Sequence, residues 1–450
     1  MTRVLSLVLV VLVSGCTVSY IVDDESDVAE TAASATMPPP PAERPRNVIL
    51  FIADGFGPAS ATLGRGLKGA PLSFDPYLVG SVETSATDNR VTDSAASATA
   101  YACGEKSYNG AIGMLPDGSS CKTVLEAAEA RGMATGLVAT SRITHATPAS
   151  FAAHVPQRSQ EPEIAAQMAA SGVDLLMGGG RPMITDREDG RDLTAELAER
   201  GYTIVMDRQG FEQIDESTPL VALFADSHLD YEIDRDEAEQ LSLPEMTRAA
   251  IQLLSTSSDG QANGFFLMVE GSRIDHAAHG NDLIGHAYDI LAFDAAVAEA
   301  LSFARRDGST LVVSTADHET GGMTLGRDGE YRWDPAPILR ATASFEAIGD
   351  RVMAGEDIVA VMREGTGVED LDEGVAVALR GAVAAQNMDA VRELYDGLVS
   401  KPAGIGWTTG GHTAVDVGLY AFGPGSEHFA RMMTNDAVGR ALFDAMGLER

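Results

Sequence analysis

The run "NVILFIADG", residues 47–55, places the apolar residues Val48 to Ala53 in unbroken succession before a single aspartate. Its hydrophobicity is continuous rather than alternating, which is typical of a strand buried on both faces, as in a parallel sheet. Four similar runs follow along the chain: "ATGLVAT" (134–140), "GFFLMVEG" (264–271), "STLVVSTADH" (309–318) and "DVGLYAFGPG" (416–425). The sequence therefore predicts a large sheet made of buried strands.

Helical patterns lie between these predicted strands. Residues Asn281 to Arg306 carry apolar side chains at helical spacing and precede Asp307-Gly308, and the segment Cys121 to Arg131 precedes Gly132. Strands and helices in alternation predict an α/β fold, a three-layer sandwich with helices on both faces of a mostly parallel central sheet. A chain of 450 residues, 45% of them hydrophobic, is long enough to bury such a core.

The overall charge excludes one class of partner. The chain has 66 acidic and 32 basic residues, a formal net charge of -34. Nucleic acid and anionic membrane surfaces would be repelled by this charge, so we expect neither as a partner. An anionic small molecule remains possible, because a bound metal ion can dominate the field inside a cleft.

The N-terminus has the features of an export signal. "MTRVLSLVLVVLVSGC" (1–16) has one arginine followed by an apolar run too short to span a membrane. Its end resembles a bacterial lipoprotein box, in which Cys16 becomes the lipidated first residue; a plain secretory signal with an incidental cysteine is the alternative. Residues 16–46 are acidic and then proline-rich, so we expect a disordered tether.

Two further cysteines, Cys103 and Cys121, lie in the region predicted to fold. An exported protein meets oxidising conditions, in which two thiols eighteen positions apart can close a loop. The alternative is a pair of small buried thiols, and the sequence leaves both possibilities open.

Polar residues stand where several of the predicted strands end. Asp54 follows the first strand, Glu270 follows "FFLMV", and Asp317-His318 follow "LVVSTA". The segment "SRITHATPAS" (141–150) comes directly after another strand. Because ligands bind at the carboxyl ends of strands in open α/β sheets, we expect these side chains to meet at one site.

Metal ligation is the chemistry these residue types favour. In "VEGSRIDHAAHG" (269–280), Asp275 and His279 are four positions apart and face the same side of a helical turn. "GWTTGGHTAVD" (406–416) adds His412 in a glycine-rich loop. Carboxylates and imidazoles suit Zn²⁺, and with Asp54, Asp317 and His318 they form two sets of ligands, enough for two metals.

The segment "VTDSAASATAYACG" (91–104) consists mostly of small residues. A hydroxyl at the start of a helix made of alanine and serine can be approached closely by another molecule. We therefore expect Ser94 to lie at the site.

These motifs together closely resemble the alkaline phosphatase family. The family's signatures occur in order: "IADGFG", "TDSAASATA", "HATPASFAAHVPQR", "VEGSRIDHAAH", "TADHETGG" and "GGHT". The residues predict a signal peptide at 1–15 and a tether at 16–46, and the resemblance implies a catalytic domain at 47–450 with variable insertions near 181–245 and 331–400. It also implies hydrolysis of small phosphate monoesters, two Zn²⁺ ions and one Mg²⁺ ion, and a homodimer.

Roles follow from the resemblance residue by residue. Ser94 would be the nucleophile, and Arg158 would clamp the substrate phosphate, oriented by Asp93. One Zn²⁺ would bind Asp275, His279 and His412, and the second would bind Asp54, Asp317, His318 and Ser94. Asp54, Thr147 and Glu270 would hold Mg²⁺. His145 and His276 stand where some branches of the family carry aspartate and lysine, so they could modulate the third site and the phosphate site.

Two rival classes remain at this point. Sulfatases and phosphodiesterases share the two-metal core of the superfamily, but the sulfatase motif is absent, and diesterases usually lack the third site and the arginine. A metal-binding or phosphate-binding lipoprotein without turnover is the other alternative. We expect an exported phosphomonoesterase anchored to a membrane only through lipid at Cys16, or secreted if it is not lipidated.

Overall fold

The computed structural model describes residues 44–214 and 219–450, so the predicted signal peptide, Cys16 and most of the predicted tether lie outside the described residues. The strands are β1 (Asn47–Ala53), β2 (Leu78–Glu83), β3 (Ala134–Arg142), β4 (Leu175–Gly179), β5 (Thr203–Val205), β6 (Leu220–Leu223), β7 (Phe265–Gly271), β8 (Thr310–Thr315), β9 (Glu319–Thr320), β10 (Thr324–Leu325), β11 (Ile405–Gly406), β12 (His412–Thr413), β13 (Val417–Phe422) and β14 (Met432–Thr434).

The helices are α1 (Pro58–Lys68), α2 (Ser94–Cys103), α3 (Val124–Ala130), α4 (Ala146–Ala152), α5 (Glu161–Ser171), α6 (Pro182–Thr185), α7 (Leu193–Glu199), α8 (Arg208–Phe211), α9 (Leu243–Thr256), α10 (Ser258–Asn263), α11 (Arg273–His279), α12 (Leu283–Asp307), α13 (Ala336–Leu339), α14 (Phe345–Met353), α15 (Ile358–Thr366), α16 (Glu373–Ala384), α17 (Met388–Leu398), α18 (Ser400–Ala403) and α19 (Asn435–Met446).

A 10-stranded sheet forms the centre of the fold, in the order β14-β2-β13-β8-β1-β7-β3-β4-β6-β5. All residues of β1 are buried, as its continuous hydrophobicity predicts. It pairs in parallel with β7 on one side and with β8 on the other. The five predicted strands are all present, and the predicted mostly parallel α/β fold is confirmed.

The run 416–425 departs from this parallel order. It forms β13, which runs antiparallel to both β8 and β2. Its residues are nearly as buried as those of the parallel strands, since β13 also lies inside the sheet. Hydrophobicity reports this burial but carries no information on strand direction.

Helices pack around the sheet in two groups. In the first group, α12 and α9 contact each other; α12 also contacts β8, and α9 contacts β3 and β7. In the second, α2 contacts α4 and α19, while α3 and α4 contact β3 and β7. None of the helices within residues 44–214 and 219–450 has the length and apolar character that crossing a membrane requires.

The two segments without family signatures have different structures. Residues 181–245 contribute β5 and β6, which extend the central sheet at one edge. Residues 331–400 form the helices from α13 to α17. Cys103 at the end of α2 and Cys121 are joined by a disulfide with a Cα–Cα distance of 5.9 Å, so the structure selects the first of the two alternatives left by the sequence.

Candidate active site

Four neighbouring parallel strands, β8, β1, β7 and β3, end at the same edge of the sheet. Ile52 in β1 is in register with Glu270 in β7 and with Thr315 in β8, so Asp54, Glu270 and Asp317 come together where these strands end. All three carboxylates are fully buried. The sheet therefore gathers acidic side chains from distant parts of the sequence, as predicted from the polar residues at strand ends.

Gly55 allows the first strand to turn tightly at this edge. Its φ angle is 73°, and a Cβ atom at this position would lie 2.8 Å from the Cα of Asp275. The Gly55 N–H donates to Oδ1 of Asp317 at 3.2 Å. A glycine is needed here because a side chain would collide with the helix that carries Asp275.

Ser94 is the first residue of α2 and is 2% exposed. Asp93 caps the helix, and its Oδ1 accepts a hydrogen bond from the N–H of Ala96 at 2.9 Å. The Ser94 Oγ lies 3.3 Å from Nε2 of His318. The hydroxyl and the positive end of the helix dipole thus both lie at the edge where the carboxylates gather.

The small residues of α2 have a second cause that the sequence did not reveal. Every residue of the helix is buried, and α4 and α19 pack against it. Gly439 of α19 comes so close that a Cβ there would lie 2.4 Å from the carbonyl oxygen of Ala100. Close helix packing, as well as access to Ser94, therefore requires this composition.

The first candidate metal cluster consists of Asp275, His279 and His412. The two imidazoles face each other with their Nε2 atoms 3.0 Å apart, and His279 Nε2 lies 3.3 Å from Oδ2 of Asp275. The Nδ1 atoms contact the carbonyl oxygens of Gly410 at 2.7 Å and Thr92 at 2.9 Å. Since a carbonyl oxygen can only accept, each Nδ1–H donates to its carbonyl, and the two Nε2 atoms, 3.0 Å apart, are left with lone pairs that need a proton or a cation between them.

The second cluster consists of Asp54, Asp317 and His318. His318 Nε2 lies 3.2 Å from Oδ2 of Asp317 and 3.6 Å from Oδ1 of Asp54. The ring of His318 stacks on that of His412 with 3.5 Å between centroids, so the first two clusters are adjacent. Thr320, which sequence reasoning missed, links them by donating to Asp275 Oδ1 at 2.5 Å and contacting His318 Nδ1 at 3.2 Å.

The third cluster consists of Asp54, His145 and Glu270. Thr147 lies beside it, and its Oγ1 is a buried atom without a hydrogen-bond partner among the described residues. The same holds for both carboxylate oxygens of Asp54, for Oε1 of Glu270 and for Nδ1 of His145. Buried polar atoms without partners are costly, so this concentration of oxygen atoms fits a hard cation.

The electrostatics of the three clusters also fit cations. Burial, together with repulsion from Asp317, Asp275 and Glu270, raises the pKa of Asp54 well above its ordinary value. Burial raises the pKa of Asp317 to about 8, with Asp275 adding to the effect, and raises that of Glu270 to about 7. Burial also opposes ionisation of Asp275, but its hydrogen bond with His279 and the nearby imidazoles hold its pKa well below the ordinary value. Divalent cations would relieve the repulsion among these carboxylates.

Arg158 contacts Asp93, the residue that precedes Ser94. Its Nη1 donates to Oδ2 of Asp93 at 3.2 Å, so Asp93 orients the guanidinium as expected. Its Nη2 also donates to Nε2 of His145 at 3.0 Å, a contact that was not foreseen. The planar guanidinium is thereby held at two points and remains partly exposed.

His228 is a neighbour of the site that sequence reasoning missed. Its ring lies 4.3 Å from that of His276 and 5.6 Å from that of His145, between centroids. Arg142 contacts its Nε2 at 2.8 Å. Burial, with nearby positive charge, lowers the pKa of His228 to about 2 and that of His276 to about 3, so both rings are neutral. His228 lies in the segment 181–245, which carries no family signature that could have identified it.

A family model for alkaline phosphatases matches residues 45–448 of the chain. The repressible alkaline phosphatase of Saccharomyces cerevisiae is 41% identical over 430 residues, covering 84% of this chain and 76% of the yeast protein. Alkaline phosphatase 3 of Bacillus subtilis is 40% identical over 420 residues, covering 89% of each protein.

Solved structures agree with these relatives. The cold-active alkaline phosphatase of Shewanella sp. superposes with a TM-score of 0.81 at 33% identity, covering 89% of this chain and 99% of that one. An alkaline phosphatase variant from the Antarctic bacterium TAB5, in which a histidine is replaced by aspartate, has Mg bound in its M3 site. This variant superposes with a TM-score of 0.67 at 31% identity, covering 90% of the present chain and 99% of the variant's chain.

Proposed function

Because this chain belongs to the alkaline phosphatase family, whose activity is the hydrolysis of phosphate monoesters, we propose that it acts through a covalent phosphoserine at Ser94 with two Zn²⁺ ions and one Mg²⁺ ion. The observation that carries the proposal is the position of the Ser94 Oγ, 3.3 Å from His318 Nε2 and beside two adjacent clusters of nitrogen and oxygen ligands. Arg158, which donates a hydrogen bond to Asp93, would add a positively charged group for the substrate phosphate.

The residues that would hold the ions follow from the three clusters. Asp275, His279 and His412 would hold one Zn²⁺, and Asp54, Asp317, His318 and Ser94 the other; Asp54, Glu270 and Thr147 would hold Mg²⁺. The ions would supply Lewis-acid chemistry, favouring ionised forms of the serine and of water and neutralising negative charge on the phosphate and its leaving oxygen. Nitrogen ligands suit zinc, whereas a site of mostly oxygen ligands suits magnesium.

The side chains of the protein perform the remaining steps. Ser94 attacks phosphorus, so an O–P bond to the serine forms as the bond to the substrate alcohol breaks and the alcohol leaves. Arg158 holds two non-bridging phosphate oxygens with its two parallel N–H groups, and Asp93 keeps the guanidinium in that plane. The N–H groups at the start of α2 add positive potential at the attacked phosphate. Water then hydrolyses the phosphoserine, releasing inorganic phosphate and restoring Ser94.

Covalent phosphate on Ser94 is the direct test of this proposal. Mixing the protein with a phosphate monoester and quenching with acid should preserve a phosphoserine, which peptide mapping should locate in the segment 91–104. Ser97, one helical turn later, provides an internal control within the same peptide. Phosphate found on Ser97, or no covalent phosphate in a protein that turns over substrate, would refute the assignment.

His145 is expected to weaken the third site for Mg²⁺. A neutral imidazole contributes no fixed negative charge beside Asp54 and Glu270, so we expect the two Zn²⁺ ions to be held firmly and Mg²⁺ to bind only when added. His145→Asp should tighten Mg²⁺ binding and make activity less dependent on added Mg²⁺. Calorimetric Mg²⁺ titration and activity titration of both proteins test this, and identical curves would contradict it.

His276, next to Asp275, should act on the phosphate rather than on the metal. Without a fixed ammonium charge at this position, product phosphate should be held less tightly. His276→Lys should therefore strengthen inhibition by inorganic phosphate, and unchanged inhibition would remove this part of the hypothesis.

We propose that the protein is exported and anchored by lipid at Cys16, a proposal supported by the sequence of residues 1–16. Cys16→Ser should abolish incorporation of labelled fatty acid and release a protein of unchanged specific activity, because none of the proposed site residues lies in residues 1–46. Fatty acid still present in the variant would contradict the lipoprotein box.

The family resemblance also supports a homodimer, which a monomeric mass in light scattering would refute.

A further inference from the structure

Arg273 is a buried cation that belongs to none of the three metal clusters. It is the first residue of α11, two positions before Asp275, and it is only 4% exposed. An arginine is rarely buried unless its guanidinium is paired, because taking the charge out of water is costly. The partners of this guanidinium therefore account for its position.

Two segments without family signatures hold the guanidinium. It lies over the ring of Tyr231, with 3.8 Å between its Cζ atom and the ring centroid. Its Nη2 donates to Oε1 of Glu346 at 2.5 Å. Tyr231 belongs to the segment 181–245, and Glu346 belongs to α14 in the segment 331–400. The stacked ring and the carboxylate together fix the plane and the rotation of the guanidinium.

The other terminal nitrogen of Arg273 contacts an imidazole of the site. Its Nη1 lies 3.1 Å from Nδ1 of His276. A guanidinium has only hydrogen-bond donors, so Nδ1 of His276 accepts this bond. The opposite tautomer and the imidazolium would both place a hydrogen on Nδ1, against the guanidinium. The contact therefore selects the neutral form of His276 that carries its proton on Nε2.

The Nε2–H of His276 is available to a bound molecule. Among the described residues Nε2 has no hydrogen-bond partner, and the side chain is only half-buried. The ring lies 5.5 Å from that of His145, between centroids, and Nε2 of His145 accepts a hydrogen bond from Arg158 at 3.0 Å. Since Arg158 is the proposed phosphate clamp, a hydrogen-bond donor without a partner lies close to the phosphate site.

His228 restricts the rotation of the same imidazole. Its ring packs on that of His276 with 4.3 Å between centroids. Arg142 donates from Nη1 to Nε2 of His228 at 2.8 Å, and Glu161 holds Arg142 through two hydrogen bonds of 2.9 Å and 2.7 Å. His276 is thus fixed by ring packing as well as by its bond with Arg273.

Arg273 itself has no group left for phosphate. Its two terminal nitrogens contact His276 and Glu346, and its Nε is a buried atom. An effect of Arg273 on a bound phosphate must therefore pass through His276.

We propose that Arg273 is a positioning residue for the phosphate site, which holds His276 in the neutral form with its proton on Nε2 so that this N–H donates to bound phosphate. The proposal rests on the proposed function, because it concerns the phosphate of that same reaction. Tyr231 and Glu346 give the two segments without signatures a shared role, which is to hold Arg273.

Binding of inorganic phosphate to the protein loaded with Zn²⁺ and Mg²⁺ tests this role. Arg273→Met keeps an unbranched side chain beside Tyr231 but removes the donors, so His276 is no longer held. We expect phosphate to bind about three- to tenfold more weakly, as measured by calorimetry and by product inhibition, which corresponds to one hydrogen bond. Metal content should not change, because no ligand is altered. Unchanged phosphate affinity would overturn the proposal.

Arg187→Met is the matched control. The Arg187 side chain is 3% exposed, forms an ion pair with Asp189, and donates to the carbonyl oxygens of Pro162 at 2.9 Å and Met183 at 3.0 Å. It has no contact with a histidine among the described residues, so this variant should keep the phosphate affinity of the unchanged protein. Equal losses of affinity in the two arginine variants would overturn the role of Arg273.

A cycle of single and double variants separates positioning from general damage. His276→Ala removes the donor, so adding Arg273→Met to it should not weaken phosphate binding further. A further loss as large as that in the single Arg273→Met variant would show that Arg273 acts without His276, and would overturn the proposal.

The protonation of the His276 ring can be measured without the Arg273 variant. With ¹⁵N-labelled histidine, nuclear magnetic resonance distinguishes protonated from unprotonated ring nitrogens, and His276→Ala identifies the signals of this ring among nine histidines. We expect Nδ1 without a proton and Nε2 with one; a proton on Nδ1 would overturn the proposal even if Arg273→Met failed to fold. Lack of both turnover and phosphate binding in the unchanged loaded protein would refute the proposed function itself, whereas the other contrary outcomes overturn only the role of Arg273.

Discussion

Replacing Ser94 by alanine is expected to lower turnover of phosphate monoesters by at least about 10³-fold, because the reaction loses its nucleophile. The Ser94 Oγ contacts His318 Nε2 at 3.3 Å and would be one of four ligands of the second Zn²⁺, of which Asp54, Asp317 and His318 remain in the variant. The variant should therefore keep two Zn²⁺ ions, as measured by mass spectrometry of the purified protein, and lose only the chemistry.

Ser97→Ala is the matched control, since it removes a hydroxyl one turn further along the same buried helix. The Ser97 Oγ donates to the carbonyl oxygen of Asp317 at 2.8 Å, so its loss should cost about 1–3 kcal/mol of stability. Activity should remain within about tenfold of the unchanged protein, because Ser97 does not touch substrate. Near-normal turnover in Ser94→Ala, or an equal loss in both variants, would contradict the role of Ser94.

Removal of the bound cations is expected to abolish activity and to destabilise the fold. Asp54, Asp317 and Glu270 are fully buried close to one another, and without cations their charges repel in a medium that solvates them poorly. A ligand present at a thousand times its dissociation constant stabilises the folded state by about 4 kcal/mol, so chelation should lower the melting temperature markedly.

Recovery on adding metals distinguishes the three clusters. Zn²⁺ alone should restore most of the melting temperature and part of the activity, and Mg²⁺ added afterwards should raise activity further, because the third cluster offers mainly oxygen ligands. Metal content is followed by mass spectrometry beside each melting curve. Full activity in a protein shown to contain no metal would refute the metal-dependent mechanism.

Much of the site follows from short segments of sequence. Asp54, Glu270 and Asp317 come at the ends of apolar runs, and parallel strands have their carboxyl ends at one edge of the sheet. The proximity of the three carboxylates could therefore be predicted without knowledge of the tertiary contacts. Asp275 and His279 share a helical turn for an equally local reason. The match to known motifs then implied the roles of Ser94 and Arg158.

Contacts between residues far apart in the chain could not be predicted from the sequence. His228 lies beside His276 and His145 only because β6 extends the sheet next to β4, and no motif marks that segment. The Arg158–His145 bond and the link through Thr320 are of the same kind. Side-chain type alone does not tell which neighbour a residue will meet.

The sequence by itself determined that the chain forms a mostly parallel α/β sheet with acidic and imidazole ligands at its carboxyl edge. A buried strand or an amphipathic helix has a characteristic pattern of apolar residues within one short segment. These predictions therefore required no knowledge of distant contacts. The antiparallel direction of β13 and the close packing of α19 on α2 were decided only by the tertiary structure. Strand direction and cross-strand register depend on which segments pair, and pairing is set by the packing of the whole sheet rather than by local sequence.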